Sequence, residues 1–450
     1  MLTIKTDSRK IKPGDTFVAL RGINGDGHDY IESAIKLGAI KIVAEEGNYQ
    51  IETIIVPDTR VYLENILREM YKSYLDEMVL IGVTGTNGKT TVAYLIHQAL
   101  SYLNAPCAYI GTIGFFLEEK KSDLPNTSPD LCELYELFLE AYEKGYRHVA
   151  LEVSSQGLAS GRFRGIEFDY AIFTNLTQDH LDFHKTMENY AEAKAQLFRQ
   201  LKKKGTGLIN VDSDYHEHFK IGNYLTYGIN NNTDYQINKI KLKTAGSSFK
   251  VKEFDINSSL IGKFNIYNNL CVVMILDQLG YTKNSIEKVI PKLKPPAGRM
   301  DVVKYLTNTI IIDYAHTPDA MEKIFEAVKE TAHQNIYVVF GCTGSRDRTK
   351  RPVMMQMALD ISNHVFITSD DLHEEAFEEI VKDMLENNNK THYTIESDRG
   401  KAIKQALEHL KTEDILLILG KGHEEYIVIE DKKIPFNDKK EVLKIINEKD

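Results

Sequence analysis

The sequence predicts an α/β protein in which a central, doubly wound and mainly parallel sheet lies between two smaller α/β domains. Short apolar runs alternate with stretches whose apolar residues recur at helical spacing, and this alternation is typical of parallel strands joined by crossover helices. Three prolines and one glycine lie close to residue 297. They separate the last series of alternating strands and helices from the series before it. A chain of 450 residues is long enough for about three domains of roughly 150 residues each.

Two changes of pattern divide the chain. Residues 1–77 predict a small α/β domain, residues 78–298 the central domain, and residues 299–450 a second small α/β domain. A polar, alternating stretch from Asn210 to Asp255 predicts additional strands inside the central domain. The predicted strands are 16–20, 42–44, 54–56, 78–83, 107–110, 148–153, 170–173, 309–313, 336–340, 364–368 and 414–419.

The composition excludes several classes of protein. Hydrophobic residues make up 42% of the chain and charged residues 27%, which is ordinary for a protein with a sizeable core. A net charge of -10 argues against nucleic acid or an anionic membrane as the main partner. The four cysteines are scattered, so neither a disulfide framework nor a structural zinc site is expected. No signal segment precedes Asp7 and no apolar run reaches membrane-spanning length, so we expect a cytoplasmic protein without membrane insertion.

The most informative motif is a phosphate loop between an apolar run and a helical pattern. Backbone N–H groups and the helix dipole at such a turn bind an anion, Lys89 adds a cation, and Thr90 offers a hydroxyl to Mg²⁺. Val83 stands where the usual pattern has a glycine, six residues before the lysine. A strand–turn–helix without function is the alternative, but Gly-Lys-Thr at a helix start has little use in packing. The predicted nucleotide-binding residues of the loop are Gly85, Thr86, Asn87, Gly88, Lys89, Thr90 and Thr91.

Polar residues follow two further predicted strands of the central sheet. Glu152 ends one strand, where a carboxylate beside a phosphate loop suits Mg²⁺, although a strand-end glutamate is often only solvated. Segment 175–184 carries many metal-capable side chains, but its spacing fits a capped loop equally well. Lys194 lies in the next predicted helix, 187–200, and the local pattern by itself indicates a solvated charge. Because the carboxyl ends of parallel strands share one sheet edge, we expect these loops to lie beside the phosphate loop.

Three polar segments also follow predicted strands in the C-terminal domain. Segments 313–319, 341–348 and 420–424 are rich in Gly, Arg, Lys and Asp, and we expect them at one edge of the sheet. Such side chains suit recognition of a charged small molecule. Each segment alone is compatible with an ordinary turn, but the three together favour a binding site.

Taken together, these segments resemble the Mur ligases of peptidoglycan synthesis, and the resemblance runs nearly end to end. It implies the three-domain Mur ligase architecture, with a UDP-binding, an ATPase and an amino-acid-binding domain in that order. The segments that carry it are 7–9, 13–20 and 26–28, which look like the UDP-binding domain, 84–91, which is similar to the ATP loop, and 126–130, 152–155, 161–162 and 175–194, which look like central-domain motifs.

The resemblance implies a reaction and its participants. ATP phosphorylates the D-Glu side-chain carboxylate of UDP-MurNAc-L-Ala-D-Glu, and the amine of an amino acid then attacks the acyl phosphate. The implied partners are these small molecules, the implied cofactors are ATP and two Mg²⁺ ions, and the implied state is a monomer. A related amide ligase outside the main cell-wall pathway is one alternative. A catalytically silent binding homologue is the other, and the intact Lys89, Glu152, His180 and Lys194 disfavour it.

The resemblance also assigns roles to individual residues. The implied catalytic residues are Lys89, Glu152, His180 and Lys194, and the implied Mg²⁺ ligands are Thr90, Glu152, His180 and Lys194. Lys194 matches a lysine that becomes carbamylated, which turns a cation into an anion able to support a second Mg²⁺.

The remaining implied contacts lie outside the phosphate loop. They are Asn268, Arg299 and Asp313 for the nucleotide, Ser8, Thr127, Ser128, Ser154, Gln156 and Arg162 for the muramoyl dipeptide, and Arg346, Asp370, Asp371, His373, Gly420 and Glu424 for the incoming amino acid.

The sequence departs from the family pattern at several positions. Gln156 stands where a histidine is usual. His373 stands where an arginine reads the distal carboxylate of meso-diaminopimelate, and Asp371 and Glu374 make its surroundings acidic. We therefore expect a diamino acid such as L-lysine or L-ornithine ahead of meso-diaminopimelate, although Arg346 or Lys421 is another cation that a carboxylate could contact.

Overall fold

The computed structural model describes residues 3–22, 25–243, 246–329, 334–386, 388–430 and 432–448. The chain divides into two compact units, Met1–Thr226 and Tyr227–Asp450. Within the described ranges, none of the helices combines the length and the apolar character needed to span a bilayer. The division into domains 1–77, 78–298 and 299–450 stays a prediction.

The first unit begins with a small parallel sheet in the order β1-β2-β3-β4. Helix α2 follows it because Asp58 caps its first N–H groups and Leu63, Leu67 and Tyr71 form a buried stripe at four-residue spacing. This stripe belongs to the same hydrophobic core as the next sheet of the unit. The elements are β1 (Ile4–Lys5), β2 (Thr16–Val18), α1 (Ile31–Lys36), β3 (Lys41–Ala44), β4 (Glu52–Ile55) and α2 (Thr59–Leu75).

A second sheet forms the centre of the first unit, in the order β12-β11-β10-β5-β9-β6-β7-β8. The strands from β11 to β6 are parallel, and β7 and β8 continue the sheet in antiparallel pairing. The predicted strands of this sheet are confirmed. They are β5 (Val79–Thr84), β6 (Cys107–Gly111), β7 (Gly114–Phe116), β8 (Lys120–Ser122), β9 (His148–Glu152), β10 (Phe168–Phe173), β11 (Leu201–Asn210) and β12 (Tyr224–Gly228).

Helices connect the parallel strands of this sheet. The helix after β5 begins directly at the predicted phosphate loop, and the helix predicted at 187–200 starts at Met187 because Thr186 caps it. The helices are α3 (Lys89–Tyr102), α4 (Leu131–Glu143), α5 (Ser155–Ala159), α6 (Leu181–His184) and α7 (Met187–Arg199). Strand β5 lies between β10 and β9, so the loops after all three strands meet at one edge, as predicted.

The second unit begins with an antiparallel meander that confirms the additional strands predicted between residues 210 and 255. Alternate residues of its last strand are buried, which matches the alternating sequence pattern. Helix α8 is buried along nearly its whole length. The elements are β13 (Tyr235–Lys243), β14 (Gly246–Val251), β15 (Phe254–Ser258), α8 (Lys263–Gln278) and α9 (Lys283–Val289).

A third sheet follows in the order β16-β17-β21-β18-β19-β20, parallel except for β16. Strand β21 comes late in the chain but lies between β17 and β18 in the sheet. This confirms that the three polar C-terminal segments, which follow β17, β18 and β21, start from neighbouring strands. The elements are β16 (Asp301–Tyr305), β17 (Asn308–Asp313), α10 (Pro318–Lys329), β18 (Ile336–Phe340), α11 (Lys350–Ile361), β19 (His364–Ile367), α12 (Phe377–Met384), β20 (Tyr393–Ile395), α13 (Arg399–His409), β21 (Ile415–Leu419), β22 (Tyr426–Ile429), β23 (Lys432–Pro435) and α14 (Asp438–Asn447).

Candidate functional site

The phosphate loop, residues 85–91, is held in shape by the segment after β10. Backbone N–H groups of Thr86 and Asn87 donate to the backbone oxygen and the Oδ1 of Asn175, both at 2.9 Å. Asn175 Nδ2 in turn donates to the Asn87 carbonyl at 3.0 Å. Gly85 and Gly88 have φ values of 148° and 87°, which favour glycine. Hydrogen bonds to Asn175 therefore help to fix the shape of the loop.

Two lysines converge on one carbonyl of this loop. Lys89 Nζ donates to the backbone oxygens of Gly85 and Thr86 at 2.9 Å, and Lys194 Nζ donates to the Gly85 oxygen at 2.7 Å. Lys194 is 1% exposed, so its interpretation as a solvated charge is wrong. Burial, with the nearby Lys89 ammonium, lowers the pKa of Lys194 well below its usual value, against the opposing effect of Asp179. A larger fraction of this amine is therefore neutral than in a solvated lysine.

The Glu152 carboxylate accepts hydrogen bonds on both of its oxygens. Thr90 Oγ1 donates to Oε2 at 2.8 Å and Thr112 Oγ1 donates to the same oxygen at 3.2 Å. The Tyr109 hydroxyl donates to Oε1 at 2.5 Å, and the Thr112 N–H donates to it at 2.8 Å. Glu152 is buried at the end of β9. The structure thus brings a carboxylate and a phosphate-loop hydroxyl together, as the shared sheet edge requires.

His180 lies at the rim of this arrangement. It adopts φ 53°, and its exposed ring lies 6.2 Å from the ring of Tyr190, whose hydroxyl is 3.3 Å from Thr86 Oγ1. His180 Nε2 is 3.5 Å from Asp179 Oδ2. Among the residues with described positions, no group of three or more His, Cys, Asp or Glu side chains is arranged to hold a metal ion. Hydroxyl and phosphate oxygens are among the ligands that Mg²⁺ accepts beside a carboxylate such as that of Glu152.

Predicted dipeptide contacts adjoin Glu152. Ser128 Oγ donates to the Glu152 backbone oxygen at 3.2 Å and lies 2.9 Å from Ser154 Oγ. Arg162 Nη1 donates to the Ser128 carbonyl at 2.6 Å. Thr127 Oγ1 lies 3.0 Å from the hydroxyl of Thr112, which also contacts Glu152. Thr127 is therefore linked to the Glu152 carboxylate through Thr112, whereas Ser128 and Ser154 adjoin the backbone of Glu152.

A cleft of about 700 Å³ opens within the first unit. Its lining includes Asp130, Gln156 and Arg162, together with further arginine and small residues. Ser8 starts a short 3₁₀ turn, and Lys10 at the end of that turn is 3.5 Å from Asp130 Oδ2. The turn that contains Ser8 thus lies next to one wall of the cleft.

The predicted nucleotide contacts of the second unit have different surroundings. Asp313 ends β17, and its carboxylate accepts the N–H groups of Met300 at 2.6 Å and Ala315 at 2.8 Å. Burial raises the pKa of Asp313, against the opposing charge of Arg299. Within the described residues, the buried Arg299 Nε has no hydrogen-bond partner. Asn268 is buried on α8.

Several predicted amino-acid contacts surround one buried lysine and form what we term the acidic cluster, namely Asp370, Asp371, Lys421 and Glu424. Lys421 Nζ lies 2.7 Å from Asp371 Oδ1 and 2.5 Å from Glu424 Oε2. Burial disfavours its charge, but Asp370 and Glu424 outweigh burial and raise the pKa of Lys421. Gly420 lacks a Cβ that would collide with Asp370 Oδ2. Three carboxyl groups thus surround one ammonium.

His373 and Arg346 lie outside these contacts. His373 adopts φ 51° and is half-buried, and its N–H donates to the Val428 carbonyl at 3.3 Å. Arg346 is exposed in the loop after β18. The structure therefore gathers Asp370 and its neighbours around Lys421, whereas it leaves Arg346 on an exposed loop.

Sequence reasoning missed several residues that contact the sites. One of them is Thr112, which donates twice to Glu152. Tyr109 lies inside an apolar strand and is typical of a core residue, so its contact with Glu152 had no local signal. Arg399 is fully buried, forms a two-point ion pair with Asp438 at 2.7 and 2.8 Å, and donates to the carbonyls of Ser369 and Leu419. Those carbonyls directly precede two predicted contacts. A basic residue at a helix start gave no hint of this role.

Comparison with known protein families covers most of the chain in three consecutive matches. Residues 3–75 match the Mur ligase family catalytic domain, residues 83–276 the Mur ligase middle domain, and residues 298–422 the Mur ligase glutamate ligase domain.

Curated relatives are similar over nearly their whole length. A UDP-N-acetylmuramoyl-L-alanyl-D-glutamate--2,6-diaminopimelate ligase of Fusobacterium nucleatum subsp. nucleatum is 40% identical, over 97% of this chain and 92% of the relative. A ligase with the same name from Halalkalibacterium halodurans is 37% identical over the same shares.

Solved structures agree with this likeness. The structure of another UDP-N-acetylmuramoyl-L-alanyl-D-glutamate--2,6-diaminopimelate ligase is 32% identical, with a TM-score of 0.72, over 100% of this chain and 95% of that one. The MurF ligase of Thermotoga maritima in complex with ADP has the same fold, with a TM-score of 0.70 at 20% identity, over 99% and 97% of the two chains. The fold, the three domain matches and these near full-length relatives together establish that the chain belongs to the Mur ligase family.

Proposed function

We propose that this Mur ligase joins a diamino acid to the D-Glu side-chain carboxylate of UDP-MurNAc-L-Ala-D-Glu. As a family member it is an ATP-dependent amide ligase of peptidoglycan synthesis. The names of its curated relatives support UDP-MurNAc-L-Ala-D-Glu as the substrate whose carboxylate forms the new amide bond. The observation that carries the proposal is the convergence of Lys89 and Lys194 on the Gly85 carbonyl, beside the contact between Thr90 and Glu152.

The residues of the loop fit ATP and Mg²⁺, which the family uses. Gly88, the N-cap of α3, has no side chain that could cap the helix, and the first N–H groups of a helix are suited to bind a phosphate. Lys89 places a cation at the loop, where phosphate oxygens would be attracted to it, and Thr90 and Glu152 supply the oxygen ligands that Mg²⁺ prefers. In the second unit, the buried Arg299 Nε without a partner among described residues supports a polar ligand there. We assign Asn268, Arg299 and Asp313 to the nucleotide on this basis.

We also propose that Lys194 is carbamylated. Its buried amine has a lowered pKa, and the neutral form is suited to attack CO₂, which forms an N–C bond, releases a proton and leaves a carbamate anion. The carbamate oxygens would supply the carboxylate-like ligand that the unmodified lysine lacks, next to the phosphate loop. This supports a second Mg²⁺ near Lys194, with His180 at the rim of the same site.

The chain's contribution to the reaction is position and charge. Bound Mg²⁺ neutralises phosphate charge during transfer. Lys89 is placed to stabilise the charge that develops on the transferred phosphoryl group. Ser128, Ser154 and Arg162 are proposed to hold the dipeptide so that its carboxylate faces that group. The new acyl phosphate is then attacked by the amine, and phosphate leaves as the peptide bond forms.

The acidic cluster supports a diamino acid as the incoming substrate. Its excess of carboxyl groups over ammonium groups favours a ligand with a second amine, which L-lysine and diaminopimelate share. The relatives' names favour diaminopimelate, whereas His373 in place of arginine favours L-lysine or L-ornithine. Asp370, Asp371, His373, Gly420 and Glu424 are the proposed contacts, with Arg346 as a further cation on the exposed loop.

The cleft in the first unit supports binding of the UDP-linked dipeptide. Its lining is largely apolar but includes Arg60, Arg162 and Arg164, whose guanidinium groups suit the negative charges of a nucleotide diphosphate, together with Gln156. The turn at Ser8 is the proposed nucleotide end of this site. We further propose a monomer that works in the cytoplasm, where ATP and nucleotide-linked precursors are available, with the domains 1–77, 78–298 and 299–450.

One turnover panel tests the proposed function. Purified protein is incubated with UDP-MurNAc-L-Ala-D-Glu, ATP, Mg²⁺ and single amino acids, while phosphate release and the mass of the UDP-linked product are measured. We expect product only with diamino acids. Phosphate release without a tripeptide product, or equal use of neutral amino acids, would contradict the proposal.

A further inference from the structure

We propose that Tyr109 positions the Glu152 carboxylate for Mg²⁺ without contacting the metal itself. This inference rests on the proposed role of Glu152 as a metal ligand. It assigns a function to a tyrosine whose position in an apolar strand otherwise indicates only a core residue.

The hydroxyl of Tyr109 reaches Glu152 because two parallel strands lie side by side. Tyr109 on β6 pairs in register with Ala150 on β9, two residues before Glu152. Its hydroxyl donates to Glu152 Oε1 at 2.5 Å. A Cβ at Gly111 would collide with both that oxygen and the Tyr109 hydroxyl, so a glycine there is needed for the contact.

The ring of Tyr109 has little freedom to move. It is fully buried, and it makes edge-to-face contacts with Tyr94 at 5.7 Å and Phe116 at 5.6 Å between centroids. The ring of His97 lies 6.5 Å away. A phenol held this firmly fixes the position of its hydroxyl, so it restrains the carboxylate to which it donates.

The hydrogen bonds divide the two oxygens of Glu152 between two tasks. Oε1 receives the Tyr109 hydroxyl and the Thr112 N–H, whereas Oε2 receives the hydroxyl of Thr90 in the phosphate loop at 2.8 Å and, at the longer distance of 3.2 Å, the hydroxyl of Thr112. Donors on Oε1 stabilise the buried anion and set the orientation of the carboxylate, so that Oε2 is presented to a cation. Without the Tyr109 hydroxyl, the carboxylate has one fewer fixed donor and a wider range of orientations.

The test compares Tyr109→Phe with Tyr94→Phe, which removes a hydroxyl from the same aromatic cluster without touching Glu152. Binding of Mn²⁺ to the full-length protein at saturating ADP is measured by electron paramagnetic resonance. Because residues that orient metal ligands commonly account for 10- to 100-fold in metal affinity, we expect Tyr109→Phe to weaken Mn²⁺ binding about 10-fold. Tyr94→Phe should leave the dissociation constant unchanged.

A kinetic measurement separates positioning from general damage to the fold. Tyr109→Phe should raise the Mg²⁺ concentration needed for half-maximal ligation, again about 10-fold, while kcat recovers at saturating Mg²⁺. Unchanged Mn²⁺ binding by Tyr109→Phe, or an equal loss in both tyrosine variants, would overturn the inference.

A third variant keeps this inference distinguishable from the proposed function. If Glu152→Gln loses Mn²⁺ binding and Tyr109→Phe does not, the positioning role is wrong while the role of Glu152 stands. If Glu152→Gln binds Mn²⁺ as tightly as the natural protein, the proposed metal site itself is wrong, and the role of Tyr109 is overturned with it.

Discussion

The phosphate-loop site and the acidic cluster differ in the partners that their ionisable side chains contact. Around the phosphate loop, Lys89 and Lys194 donate to backbone carbonyls, and Glu152 accepts from hydroxyl and amide groups. In the second unit, Lys421 contacts the carboxylates of Asp371 and Glu424 directly. The described hydrogen bonds of Lys89, Lys194 and Glu152 thus go to neutral groups, whereas those of Lys421 go to groups of opposite charge.

This difference indicates different roles for the two sets of charges. A charge whose partners are neutral is not cancelled by an opposite charge, so it interacts strongly with a charged ligand. This suits a site where phosphate charge shifts during the reaction. A charge paired with its opposite mainly fixes geometry, and removal of one partner leaves the other buried and unpaired. We therefore expect variants in the first site to lower the rate, and variants of paired charges in the second unit to change selectivity and stability.

The largest effect is expected for Lys89→Ala. Loss of one positioned electrostatic contact to a transferring group commonly costs on the order of 10²–10³ in rate. The fold should remain intact because the described hydrogen bonds of Lys89 go to backbone carbonyls of its own loop, and the residue is only partly buried and not in a hydrophobic core. Ligation rate and thermal unfolding are measured together, with the exposed lysine variant Lys72→Ala as control. Near-normal turnover by Lys89→Ala would contradict the proposed role of the phosphate loop in phosphoryl transfer.

The next effect is expected for Lys194→Ala, which should lower ligation by about 10²-fold and recover in part with added short-chain carboxylic acids. A carboxylic acid supplies the anion that the carbamate would provide. ¹³C NMR after exposure of the natural protein to ¹³CO₂ measures the carbamate itself.

The carbamate should also depend on pH. Because burial lowers the pKa of Lys194, the neutral amine persists to lower pH than in a free lysine, and carbamate should be lost as pH falls through that lowered pKa. An unmodified Lys194 in active, metal-loaded protein would contradict this prediction.

A smaller effect is expected at the specificity position. His373→Arg should shift the ratio of kcat/KM toward meso-diaminopimelate over L-lysine by about 10-fold, because a planar guanidinium binds the distal carboxylate at two points. A competition assay with both amino acids and mass detection of the products measures the ratio. Clear preference of the natural protein for meso-diaminopimelate would mean that another residue reads that carboxylate and that the expectation based on His373 is wrong.

The smallest effect on catalysis, and a defined effect on stability, is expected for Glu375→Gln. Hydrogen bonds from Arg351 lower the pKa of Glu375 from 4.5 to about 2. A carboxyl with a lowered pKa in the folded state stabilises the protein above its ordinary pKa, and this contribution is lost as pH falls toward 2. The variant should therefore unfold at lower urea concentration at neutral pH.

The pH dependence of that difference is the check. Urea midpoints of the natural protein and Glu375→Gln should approach each other as pH falls below about 4.5, whereas Glu379→Gln, on the same part of the chain but mostly exposed, should match the natural protein at every pH. A difference that stays constant with pH would mean that Glu375 acts by packing and not by its charge.

Much of the fold was predictable because its signals are local. The buried strand before the phosphate loop, the Gly-Lys-Thr at the start of α3 and the Thr186 cap of α7 depend on neighbouring residues only, and each is confirmed as structure. Short edge strands such as β8 (Lys120–Ser122) were missed because three exposed residues carry no periodic signal.

The amino-acid sequence by itself determined the strand and helix order, the phosphate loop and the positions of polar residues at strand ends, since periodicity and turn residues are properties of adjacent positions. Only the tertiary structure decided that Lys194 is buried against the Gly85 carbonyl, that the Tyr109 hydroxyl meets Glu152, and that Arg399 bonds the carbonyls of Ser369 and Leu419. Each of these contacts joins segments far apart in the chain. Their geometry depends on which strands become neighbours, and this is set by packing of the whole sheet and not by any local pattern.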